Sequence, residues 1–88
     1  MISAKAVVRN ALGIHMLSAG AIVETCNRFK AKIWLQKGKR KSNARSILDI
    51  ILLESPPGTQ LTIEADGEDE REALDALLAL FDRNFGEK

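Results

Sequence analysis

Residues 2–8 alternate small or apolar side chains with polar ones as far as Lys5, the two-residue period of a strand with one buried face. Asn10 to Gly13 reads as a loop. From Ala19 the apolar residues Ala19, Ile22, Val23 and Cys26 recur at helical spacing, with Phe29 just beyond, which predicts a first helix over about 16–28. Residues 31–36 alternate again and are rich in β-formers, a second strand. Lys37-Gly38-Lys39 supplies a turn, and residues 40–43 return as a short third strand. Ser46 precedes the apolar run Ile47-Leu48-Asp49-Ile50-Ile51-Leu52-Leu53, a short helix by length and position, with a buried strand as the alternative. Pro56-Pro57-Gly58 ends that element. Residues 59–65 show the cleanest alternation, a fourth strand with Leu61, Ile63 and Ala65 inward. Asp66-Gly67 turns the chain. Asp69, with Glu72 three positions on, has the pattern of an N-cap and its capping-box partner. Leu74, Leu77, Leu78, Phe81 and Phe85 then form one stripe, so a third helix is expected over about 69–84.

The order is βαββαβα within a single domain, residues 1–88. Strands with one apolar face must bury it, and amphipathic helices can cover that face. The opposite face would carry Lys5, Lys32, Trp34, Gln36, Gln60, Thr62 and Glu64, which suit water. An antiparallel sheet tolerates one wet face. The expected class is therefore α+β: a two-layer open-faced sandwich, its four-stranded antiparallel sheet covered on one face by helices.

Composition narrows the function. Thirteen basic and 12 acidic residues give a net charge of +1, which argues against a general nucleic-acid binder or a polybasic membrane contact. The basic hairpin at 37–41 reads as a solvated turn. Trp34 has no aromatic neighbour on its face to build a base-stacking platform. Cys26 is the lone cysteine and lies on the apolar stripe, so it reads as a small core residue. No leader-like N-terminus and no apolar run of roughly 18 residues is present, so a cytoplasmic location is expected. One histidine and one cysteine are too few for a structural zinc site. Neither a metal nor a cofactor is expected.

His15, the only histidine, falls where the first helix begins. An imidazole there can act as a nucleophile near neutral pH. It also faces the free backbone amides of a helix N-terminus, which bind anions. A phosphoryl group carried on His15 and held by the Met16 and Leu17 amides fits both properties. Leu17 points away from the core stripe of its helix. If Ile47, Ile50 and Ile51 of the 47–53 run go inward, Leu48 and Leu52 stay at least partly exposed. Leu17, Ile47, Leu48 and Leu52 are the candidate docking surface beside His15. Ser46 is an expected N-cap.

At these residues the chain resembles the HPr family, the histidine phosphocarrier proteins of the bacterial phosphoenolpyruvate-dependent sugar phosphotransferase system. Asn10-x-x-Gly13-Ile14-His15 matches the family's active-site approach, Arg45-Ser46-Ile47-Leu48 its regulatory-serine segment, and Gly58 through Ala65-Asp66-Gly67-Glu68-Asp69-Glu70 with Ala73-Leu74 its last strand and helix. The resemblance implies that His15 accepts a phosphoryl group from Enzyme I and yields it to a sugar-specific transferase component. It implies a protein substrate of phosphotransferases, a monomer, rather than an enzyme with its own turnover. It also implies regulation at Ser46 by a serine kinase/phosphorylase. The family pattern after the histidine is Ala-Arg-Pro-Ala, whereas this chain has Met16-Leu17-Ser18-Ala19. The usual arginine partner of the phosphate is therefore Leu17, and the helix-starting proline is Ser18. A basic residue near 39–45 could take the arginine's place. Two rivals stay open: a regulatory interaction module with slow or no transfer through His15, and, more remotely, an RNA binder on the sheet face.

Overall fold

Four strands pair antiparallel in the order β1-β4-β2-β3, where β1 is Ile2–Val7, β2 Lys32–Lys37, β3 Arg40–Asn43 and β4 Gln60–Asp66. The computed structural model describes residues 1–87. The register places Trp34 opposite Glu64 and Asn43, and Thr62 between Gln36 and Lys5. One face of the sheet is thus the expected polar face, with Lys5, Lys32 and Gln60 exposed and Trp34, Gln36, Thr62 and Glu64 half-buried. There Lys41 pairs with Glu64 at 3.0 Å and lies 5.0 Å from the centre of the Trp34 ring.

The other face buries Ala6, Ile33, Leu35, Leu61, Ile63 and Ala65. Helix α1 (Met16–Cys26) contributes Ala19, Ile22 and Cys26 to this core, and α3 (Glu70–Asp82) contributes Ala73, Leu74, Leu77, Leu80 and Phe81. Each large side chain so buried stabilises the fold by roughly 1.5–3 kcal/mol relative to exposure. The short helix α2 (Ile47–Leu52) packs on α1, with Ile50 fully buried. The helix reading of residues 47–53 is therefore right. Burial pushes the Cys26 thiol up to about 11, against the opposing pull of the Arg45 guanidinium. Such a thiol is packing material, not a nucleophile.

Several expectations need correction. Helix α1 stops at Cys26, two residues short of the expected end. The Arg45 guanidinium collects the carbonyls of Cys26, Phe29 and Ala31 at 2.6–2.9 Å and so finishes the helix from outside. Val23 is half-buried at the rim of the core rather than within it. Strand β2 runs one residue into the expected turn, through Lys37. The hairpin is not merely solvated: Lys37 donates to the carbonyls of Leu53 and Glu54, and Arg40 to that of Leu52 at 2.8 Å. Both cap the C-terminal carbonyls of α2.

Asp69 stands at the N-cap position of α3 but makes no side-chain cap. Its carboxylate instead accepts the Lys30 and Ala31 amides at 2.8 and 2.9 Å, tying α3 to the start of β2. Those amides, Lys30 first, hold the Asp69 carboxyl below its ordinary range. Helix α3 ends at Asp82, not 84. Asn84 and Phe85 take left-handed backbone angles, φ 54° and 59°, each costing about 1–2 kcal/mol for a residue with a Cβ. Burial of Phe85 against Phe81, ring centres 4.7 Å apart, offsets that strain and turns the chain back toward α1.

Candidate functional site

Gly13 brings the site together. Its φ is +69°, and a Cβ there would lie 2.6 Å from the Ser55 carbonyl oxygen and 2.8 Å from the Pro56 Cα. Only glycine lets the loop press this closely on the segment after α2. The Ile14 amide then donates to the Ser55 carbonyl at 2.9 Å, and Ile14 is buried. The next residue, His15, is left at the N-cap of α1 in an extended conformation.

His15 caps its own helix. The imidazole Nδ1 accepts the Leu17 amide at 3.3 Å. The Ser18 hydroxyl oxygen accepts the His15 amide at 2.8 Å, and Ser18 is buried. Ser18 is thus the reciprocal partner of a capping box in which histidine stands in for the usual serine or threonine. The His15 side chain is 27% exposed, so a partner can reach the ring. The amides of Met16 and Leu17 lie in the first turn of α1, at the positive end of the helix. The Leu17 amide is already engaged by Nδ1, however, and is not standing free for a phosphate.

The other ring nitrogen holds a residue that sequence reasoning missed. Nε2 lies 3.2 Å from Glu87 Oε1. Asn10, almost wholly buried, donates from Nδ2 to Glu87 Oε2 at 3.0 Å and to the Gly13 carbonyl at 2.7 Å. Loop, helix N-terminus and tail therefore converge on one imidazole. A shallow cavity of about 140 Å³ beside them is lined by Arg9, Asn10, Leu12, Asn84 and Glu87. Nothing periodic marks Glu87. Only the left-handed turn at Asn84 and Phe85 brings it home. Asn10 opens the Asn10-x-x-Gly13-Ile14-His15 segment, and that position was the one signal the sequence carried for it.

The expected basic substitutes near 39–45 lie elsewhere. Arg40 and Arg45 serve the ends of α2 and α1, and Lys41 pairs with Glu64. The side chain that reaches the imidazole is a carboxylate, and among the described residues Arg9 is the cation lining the cavity.

Leu17, Leu48 and Leu52 are 76%, 66% and 53% exposed, and Leu12 and Met16 join them as large exposed apolar side chains. Ile47, expected on this surface, is instead half-buried at the first position of α2, packed against the core. Ser46 is the N-cap of α2, its hydroxyl accepting the Asp49 amide at 3.2 Å. Among the described residues no His, Cys, Asp and Glu side chains cluster as a metal site, and no helix is long and apolar enough to cross a membrane.

The family model described as the PTS HPr component phosphorylation site matches residues 2–83. The chain belongs to the HPr family. It is 36% identical over 87 residues to the phosphocarrier protein HPr of Xylella fastidiosa, covering 99% of this chain and 98% of that one. It is 39% identical over 79 residues to the HPr-like protein Crh of Bacillus subtilis, covering 90% and 93%. The crystal structure of HPr-C-His from Thermoanaerobacter tengcongensis superposes with a TM-score of 0.95 at 35% identity, covering 100% of this chain and 99% of that one. The open-faced βαββαβα sandwich is the HPr fold, and the chain is a phosphocarrier of the phosphotransferase system, not an enzyme with its own turnover. HPr-family membership implies Enzyme I and sugar-specific acceptors as partners.

Proposed function

We propose that His15 is the phosphoryl acceptor and that Nδ1 is the atom that carries the group. The observation behind this reading is the placement of Nδ1 against the Leu17 amide, at the positive end of an 11-residue helix. Phosphate on Nδ1 would replace the ring as acceptor for that amide and meet the unpaired Met16 amide beside it. The helix terminus favours the anion after transfer. Enzyme I, itself phosphorylated by phosphoenolpyruvate, is the donor. A sugar-specific transferase component is the acceptor. A cytoplasmic location, where phosphoenolpyruvate is made, and a monomeric working form suit this role.

Leu17, Leu48 and Leu52 form the docking surface, with Leu12 and Met16 extending it and half-buried Ile47 at its edge. A serine kinase acting on Ser46 would add negative charge beside Leu48 and Asp49, weakening contact with an acidic partner. One observation keeps a second reading in view. Among the described residues the groups bound to the imidazole are an amide and a carboxylate, with no guanidinium to take up phosphate charge. In that reading the leucine surface and Ser46 do the work as a regulatory interaction module, and transfer through His15 is slow.

Incubation with Enzyme I and labelled phosphoenolpyruvate tests the choice. Acid-labile label on the wild type, absent from His15→Ala, is expected. No label after long incubation would favour the interaction module.

A further inference from the structure

We propose that the Glu87 carboxylate is a positioning group for phosphoryl transfer, holding the His15 imidazole as its Nε2–H tautomer so that the Nδ1 lone pair is the nucleophile. The inference rests on His15 being the acceptor. Two contacts bear on the tautomer. The Leu17 amide, 3.3 Å from Nδ1, favours a lone pair there, but a contact of that length does not hold the ring by itself. Nε2 faces an acceptor-only carboxylate at 3.2 Å, so it must carry the proton. Both demands point to one tautomer. The carboxylate is itself held, because Asn10 donates to its second oxygen at 3.0 Å while bound to the Gly13 carbonyl. A buried amide orienting a carboxylate that orients an imidazole is the logic by which histidine bases are kept in one tautomer elsewhere.

The chemistry balances without moving a proton. The Nδ1 lone pair forms the N–P bond as the bond from phosphorus to the donor breaks, its electron pair leaving with the donor. The ring keeps its Nε2 proton and becomes positively charged, opposite Glu87. On donation the N–P electron pair returns to Nδ1 and a neutral imidazole leaves. Had the ring lost the Nε2 proton, it would have to leave as an imidazolide anion. Glu87 thus serves receipt and release equally, as a two-way carrier requires.

The test compares wild type, Glu87→Ala and Glu87→Gln, with folding checked by thermal melting. Long-range 1H–15N spectra of the ring, recorded across a pH series up to about pH 8, report the tautomer with no phosphoryl donor present. The wild type is expected to show Nδ1 bare and Nε2 protonated, Glu87→Ala a mixture, and Glu87→Gln the wild-type pattern, since its side-chain carbonyl still accepts. Labelling by Enzyme I is expected to slow about three- to tenfold in Glu87→Ala, the scale of one partly exposed charged hydrogen bond, and less in Glu87→Gln. Wild-type tautomer populations in Glu87→Ala would overturn the proposal, whatever the rate. So would an unchanged labelling rate. Label that persists in His15→Ala, or none on the wild type, would instead fail the acceptor reading. A His15→Ala blank beside an unaltered Glu87→Ala fails only the role of Glu87.

Discussion

At the scale of single residues, the site is unusual in how its charges are distributed. Ser18 serves His15 through its hydroxyl, the Leu17 backbone serves Nδ1, and the Leu17 side chain is largely exposed to solvent. Transfer creates a dianionic group where, among the described residues, amides and a carboxylate but no cationic side chain bond to the ring. A charged hydrogen bond is worth about 1.5–3 kcal/mol. Leu17→Arg, at a 76% exposed position, adds a guanidinium without disturbing the core. It is expected to raise the rate of His15 phosphorylation about tenfold. An unchanged initial rate with Enzyme I would show that the amides alone meet the phosphate's need. Asn10 and Glu87 belong to the same scale and were the least legible residues in the chain. Hydrogen bonding between positions 77 apart leaves no periodic trace.

At the scale of elements, side chains from one segment repeatedly finish another. Arg45 closes α1, Lys37 and Arg40 close α2, and Asp69 takes up two amides ahead of β2. The sequence reads residues 37–41 as a solvated hairpin, Asp69 as an ordinary cap and Arg45 as one of the candidate phosphate partners, because it shows a residue's type but not which helix end lies across from it. The Asp69 link carries a pH dependence of definite sign. Its folded-state pKa is lowered, so its stabilising contribution is complete above the ordinary aspartate value of 3.8 and drains away as pH falls through the lower folded value. Asp69→Asn keeps one acceptor oxygen but loses the charge. The variant is expected to melt below wild type at pH 7, with the gap closing as the pH is taken below 3.8. A gap independent of pH in thermal melts would show that the carboxylate charge contributes nothing.

At the scale of the whole molecule, the sheet presents one polar face, and the helix pair α1–α2 presents leucines to water beside the candidate acceptor. If partners dock there, Leu48→Glu should weaken binding to Enzyme I by about tenfold while leaving the melting temperature nearly unchanged, since position 48 is 66% exposed. Titration calorimetry reads the first effect and thermal melting the second. A variant that binds normally would move the docking surface elsewhere. The class and order of elements and the polar sheet face were all legible from the chain. They follow from periods of two and 3.6 residues, which any stretch of sequence displays locally. His15 at a helix start was legible for the same reason. The partners of that imidazole and the true ends of α1 and α3 belong to the folded molecule. They depend on segments far apart in the chain arriving at one place. That arrival is dictated by the burial of Phe85 and the close approach at Gly13, which no local pattern encodes.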